Sequence, residues 1–261
     1  MIQVQNLVKS FGEVTAVGGI TFDVHPGEIF AFLGPNGAGK TTTIQMLTTL
    51  LRPTSGSITI DGLDPAVRPL DVRRRFGIVF QDPSLDHELT AYENMDLHGV
   101  LYHVPRKVRT ERIQSLLTLF ELWERRAARV KTFSGGMKRR LEIARGFLHT
   151  PKILFLDEPT LGLDPQSRNQ LWTHVKHLNE TEKVTVFLTT HYMDEAERVA
   201  HRIAIIDHGR IVAQGTPQEL KEQTRTDSLE QAFLALTGTS IRDETASSAD
   251  QMRQVARMWR R

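Results

Sequence analysis

The most constraining stretch of the chain is Gly34-Pro35-Asn36-Gly37-Ala38-Gly39-Lys40-Thr41-Thr42, which fits G-x-x-x-x-G-K-[ST]. Glu28-Ile29-Phe30-Ala31-Phe32-Leu33 before it holds an apolar run of strand length, and Thr43-Ile44-Gln45-Met46-Leu47 after it opens a helical pattern. Strand, glycine loop and helix are the context in which this pattern cradles phosphate. Glycines admit backbone conformations that side chains forbid, so successive N–H groups converge on phosphate oxygens. A helix beginning near Gly39 adds unpaired amides and a positive dipole end. Lys40 offers a point charge to the β- and γ-phosphates, and the Thr41 hydroxyl a ligand for Mg²⁺.

The remaining chain has to build a sheet around that loop. Its 261 residues suffice for one large α/β domain with insertions, or for two small ones. The 33 basic and 31 acidic residues nearly cancel, so no net field points to nucleic acid or membrane. There is no cysteine, which excludes disulfides, thiolate metal sites and thiol nucleophiles. No apolar run reaches the ~18 residues of a membrane span. Met1 to Val8 alternates like a strand and lacks a signal peptide's basic start and apolar centre, so a cytosolic location is expected.

Residues 2–8 and 20–24 alternate as half-buried antiparallel strands do. Phe11 leads the turn at Gly12 between them and offers either a stacking face for adenine or turn packing. Ile44 to Leu51 is helical, ended by Arg52-Pro53, and 57–60 and 76–80 read as strands. From about 89 to 148 helix-period apolar residues alternate with charged ones and no strand-like run intervenes, as in a helical subdomain inserted into an α/β sheet. Apolar strands resume at 153–156, 184–189 and 203–207, separated by helical stretches, which makes β-α-β units and a parallel sheet. His208-Gly209 turns into a hairpin partner at 211–213, and Ser228 to Leu236 is a short amphipathic helix. The segments expected are an ATPase domain over 1–222, a C-terminal helix over 223–238 and a polar, frayed tail over 239–261. Met252, Val255 and Trp259 in that tail stand at near-helical spacing among arginines, a pattern open to a membrane or partner contact or to a disordered tail.

Asp157-Glu158 ends an all-apolar strand, and ligands gather at the carboxyl ends of parallel strands. Asp157 is thereby expected to hold Mg²⁺, directly or through water, and Glu158 to polarise an attacking water. Ser134-Gly135-Gly136 opens a long helix through a serine cap, a second anion-binding N-terminus or a plain cap. Gln81, Asp164 and His191 each follow, or lie just past, a strand end.

These motifs together resemble the ATP-binding subunit of ABC transporters across roughly residues 2–220. Gly34–Thr42 is similar to Walker A and Ile153–Glu158 to Walker B. Phe133-Ser134-Gly135-Gly136-Met137 resembles the family signature, with Gln81, Asp164 and His191 in the places of the Q-loop, D-loop and switch residues, and Phe11 in that of the adenine-stacking aromatic. The resemblance implies a P-loop α/β core with an antiparallel N-terminal β subdomain and the inserted helical subdomain. It also implies ATP with Mg²⁺ near Thr41, Gln81 and Asp157, and Glu158, His191 and Gln81 in catalysis. Two ATP would be sandwiched in a head-to-tail dimer, so that Ser134, Gly135, Gly136 and Asp164 face the partner's nucleotide.

The implied partners are an integral membrane permease and a second ATP-binding subunit, most simply an identical one, with the complex on the cytoplasmic face of the cell membrane. Met137 departs from the usual glutamine, and any polar contact from that side chain is lost. Such Met signatures, and stretches such as Ser84-Leu85-Asp86, resemble the drug-resistance and nodulation-factor exporter branch. A soluble ABC-type ATPase acting on nucleic acid or ribosomes would be expected to carry a second cassette, zinc cysteines or a coiled coil. This chain has none of these, and no nucleic acid is expected. A GTPase or small-molecule kinase leaves Ser134-Gly135-Gly136, Asp164 and His191 unexplained.

Overall fold

A computed structural model describes residues 1–238; the stretch with Met252, Val255 and Trp259 lies outside them. Strands β1 (Ile2–Phe11), β2 (Val14–Val24) and β4 (Ser55–Ile60) form an antiparallel sheet in the order β2-β1-β4. The second sheet runs β5 (Phe76–Val79), β6 (Ile153–Asp157), β7 (Thr185–Thr190), β3 (Ile29–Leu33), β8 (Arg202–Asp207) and β9 (Arg210–Gly215). Its first five strands are parallel, and β9 pairs antiparallel to β8.

Strand β3 lies inside this sheet and is buried throughout. Its alternation divides two cores: Phe30 and Phe32 face the antiparallel sheet, while Ile29, Ala31 and Leu33 face the helices. On the first side Phe22, Phe30, Phe32 and Phe187 pack with ring centroids 5.5–5.9 Å apart. Burying one such side chain contributes roughly 2–3 kcal/mol, so this cluster anchors the loop that β3 feeds. On the other side the core runs without a break into α3 (Ala91–Leu101), α4 (Arg106–Leu119) and α5 (Gly135–Phe147). Thr90 starts α3 through a capping box with Glu93.

One local expectation is corrected, and two helices appear that the sequence pattern did not announce. Helix α1 spans Lys40–Leu47 and stops short of Leu51: Thr49 takes a left-handed φ of 66°, and Leu50 and Leu51 both donate back to the Gln45 carbonyl, leaving Leu50 exposed. A short helix α2 (Pro69–Arg73) precedes β5. After β9, helix α8 (Pro217–Thr224) begins at a Thr216–Glu219 capping box. Among the described residues the remaining α-helices are α6 (Pro165–Glu182), α7 (Met193–Val199) and α9 (Leu229–Thr237), the last capped by Ser228.

Candidate nucleotide site

The parallel sheet brings four strand ends side by side. In spatial order β5-β6-β7-β3, they lead into Gln81, Asp157-Glu158, His191 and the Gly34 loop. Neighbouring strands stand about 4.8 Å apart, so residues distant in sequence become lateral neighbours.

The loop is built around two tight places. A Cβ at Gly34 would collide with the Ile206 carbonyl, and one at Gly39 would lie 2.6 Å from the Ala16 carbonyl. Gly39 also has φ +105°, which L side chains rarely adopt. It is the N-cap of α1, and no side chain caps that helix. The first amides of α1 are therefore oriented toward whatever the loop holds. Pro35, Asn36, Gly37, Ala38 and Thr42 complete the loop as the sequence placed them.

Lys40 is buried, and its Nζ donates to the carbonyls of Gly34 at 2.7 Å and Pro35 at 3.1 Å. The same ammonium lies 3.2 Å from Glu158 Oε1. The other oxygen, Glu158 Oε2, is 2.8 Å from His191 Nδ1. Burial pushes the Glu158 pKa up, but the His191 hydrogen bond and the Lys40 charge outweigh it and hold the carboxyl below its ordinary value. Glu158 takes a left-handed φ of 47°, a conformation that persists where its surroundings fix it. Its amide donates to the carbonyl and the hydroxyl of Thr189, both at 3.1 Å.

Asp157 is buried beside it. Burial raises its pKa against the hydroxyls of Thr189, 2.5 Å from Oδ1, and Thr41. Hydroxyl and carboxylate oxygens together are hard donors suited to Mg²⁺. Among the described residues no cluster of three or more His, Cys, Asp or Glu side chains could hold a metal by itself.

A second group gathers elsewhere. Ser134 caps α5, accepting from the Met137 amide at 3.3 Å. A Cβ at Gly136 would come 2.5 Å from Ser167 Oγ, and that hydroxyl donates to Asp164 at 2.6 Å. Gly135 lies against Leu163. Among the described residues, Ser134 and Asp164 have their side-chain hydrogen bonds with Met137 and Ser167, not with Lys40, Glu158 or His191. Met137, expected to have lost a polar contact, packs its side chain against the apolar core. Gln81 lies exposed past β5, and Phe11 exposed at the tip of the β1–β2 hairpin with Lys9 Nζ 5.0 Å above its ring.

Sequence reasoning missed Thr189, which holds both carboxylate residues, and a buried pair on α5, Arg139 and Glu142. Arg139 donates to the carbonyls of Asp157, Glu158 and Pro159. Its signal was a charged i, i+3 pair continuing the buried helix face of Gly136 and Ile143.

Residues 17–161 match the family described as ABC transporter. The chain is 46% identical over 228 residues to a daunorubicin/doxorubicin resistance ATP-binding protein of Streptomyces peucetius, covering 87% of this chain and 69% of that protein. It is 41% identical over 220 residues to the Nod factor export ATP-binding protein I of Cupriavidus metallidurans, covering 84% and 72%. A solved ATP-binding subunit of an ABC transporter superposes with a TM-score of 0.82 at 33% identity, over 90% of this chain and 99% of that one. A dimeric ATP-binding cassette in a post-hydrolysis state with ADP and Pi gives 0.75 at 29% identity, over 83% and 98%. Family model, relatives and solved structures agree, and the chain belongs to the ABC transporter ATP-binding family.

Proposed function

We propose that the chain is the ATP-hydrolysing subunit of an exporter, working as a head-to-tail homodimer beneath a separate membrane subunit. The carrying observation is the division of the functional residues into two groups within one chain. Lys40, Glu158 and His191, with Asp157 joined through Thr189, make one hydrogen-bonded cluster, while Ser134, Gly136 and Asp164 make another. A head-to-tail pair brings the first group of one copy to the second group of the other, and the dimeric relative supports that arrangement.

In this reading the Gly34–Thr42 amides and Lys40 bind the phosphates, and Phe11 stacks on the base. Thr41, Asp157 and Gln81 would hold Mg²⁺, which when bound neutralises developing phosphate charge. Glu158 accepts the proton of the attacking water at a carboxylate oxygen and is kept ionised by its partners. His191 fixes its orientation. Ser134, Gly135 and Gly136 of the second copy supply donors to the γ-phosphate.

Among the described residues no helix is long and apolar enough to cross a membrane. The membrane partner would meet the exposed stripe Leu97, Val100 and Leu101 on α3 from the cytoplasmic side. Relatives named for drug resistance and Nod factor export favour a drug-like or lipid-like cargo over nucleic acid. The test is Glu158→Gln. It is expected to lose ~10²–10⁴-fold in turnover, to retain ATP and to become dimeric with it in sedimentation. Undiminished hydrolysis overturns the reading.

A further inference from the structure

The helix that begins with Ser134-Gly135-Gly136 is fastened at its middle to the nucleotide cluster of its own chain. Arg139, 7% exposed, uses every donor of its guanidinium. Nε donates to the Pro159 carbonyl at 2.7 Å, and one terminal nitrogen to the carbonyls of Asp157 at 2.9 Å and Glu158 at 3.1 Å. The other donates to the Phe80 carbonyl and to Glu142 Oε2, the latter at 3.0 Å. Glu142, 1% exposed, accepts the Ser84 amide at 2.7 Å on its remaining oxygen. Arg145, a turn further along α5, donates to the Ser84 carbonyl at 2.8 Å.

The segment Phe80–Ser84, which contains Gln81, is therefore tied to α5 at both ends. The backbone of Asp157 and Glu158 is tied to the same side chain. An apolar pair of equal volume fills a core at least as well as a buried ion pair. What an apolar pair cannot do is satisfy four main-chain carbonyls at two strand ends. Sliding α5 against those ends would strand a buried cation, so helix and strand ends move together. Arg139 lies five residues beyond Ser134, about 7.5 Å along the axis.

We propose that Arg139 and Glu142 are positioning residues that transmit the state of Gln81 and Glu158 in one nucleotide site to Ser134-Gly135-Gly136, and so to the site of the other copy. The proposal rests on the head-to-tail dimer. It assigns the coupling between the two ATP to a single guanidinium and its carboxylate.

The test uses the full chain with an Arg139→Met/Glu142→Leu double variant, which removes both charges and leaves none unpaired. Expected are a kcat lower by roughly 10- to 100-fold, a Hill coefficient for ATP falling from about 2 to about 1, and, in the Glu158→Gln background, an ATP midpoint for dimerisation raised at least about fivefold. The isosteric Glu142→Gln keeps the packing and is expected to shift the same midpoint by a smaller factor. If the double variant does not fold, Glu142→Gln decides. Parent-like dimerisation and cooperativity in the folded variants overturn the coupling while leaving the dimer intact. A Glu158→Gln parent that stays monomeric with ATP removes the dimer itself, and the coupling with it.

Discussion

His191 Nδ1 lies 2.8 Å from Glu158 Oε2, joining the loop after β7 to the carboxylate at the end of β6. The contact counteracts the burial that would otherwise raise the Glu158 pKa. It also fixes the carboxylate from the side opposite Lys40.

His191→Ala is expected to lower turnover by about 10²-fold while changing ATP affinity by no more than about threefold. Without its hydrogen bond Glu158 takes up a proton more readily. The acidic limb of the pH–rate profile should therefore move to higher pH. Single-turnover rates across pH check the sign, and an unmoved limb would detach His191 from Glu158.

Gly39→Ala is expected to cost about 2–4 kcal/mol, because the added carbon meets the Ala16 carbonyl 2.6 Å away at a left-handed φ. ATP binding should be lost with it. Gly37→Ala, also left-handed but facing open space, should cost only roughly 1 kcal/mol. Urea unfolding of the two variants, with calorimetric ATP titration, tests the contrast.

The third prediction concerns acid stability. His98 and His149 lie near each other, with Tyr102 stacked on His149 at 3.9 Å. Burial drives their pKa values to about 3 and about 4, helped by the nearby Arg145 and Arg112 charges respectively. Folded values lie below the unfolded 6.5, so the unfolded chain binds more protons as pH falls. This stabilisation is complete above pH 6.5 and is lost as pH falls toward about 4 and then 3. It should amount to several kcal/mol between pH 7 and 4, shared between the two histidines. A His98→Asn/His149→Asn variant cannot titrate there, and its urea midpoint should fall less steeply with pH than the parent's. Parallel curves would show that these imidazoles do not carry the effect.

The strand-loop-helix around Gly34–Thr42 was legible because its signal is local: an apolar pentapeptide, glycines where side chains clash, and a helix start. The same holds for Asp157-Glu158 at the end of a strand without a polar residue before it. Arg139, Glu142 and Thr189 were not legible in that way. Apart from the Arg139–Glu142 contact within α5, their partners are 18 to 59 residues away, and those bonds exist only once the sheet has put β5, β6 and β7 side by side. The end of α1 failed for the opposite reason. Leu50 and Leu51 prolong the apolar pattern, but the turn at Thr49 outweighs it. The capping box at Thr216-Pro217-Gln218-Glu219 was in plain view, and α8 was passed over because its few apolar residues give a weak helical period.

Strand β3, held by aromatic rings on one face and by aliphatic side chains on the other, has a mechanical consequence. A close-packed interior yields little under load, and the Gly34–Thr42 loop springs directly from this strand. The loop is therefore the fixed point of the molecule, a fulcrum. Motion is left to parts less tightly gripped, such as the exposed hairpin tip at Phe11.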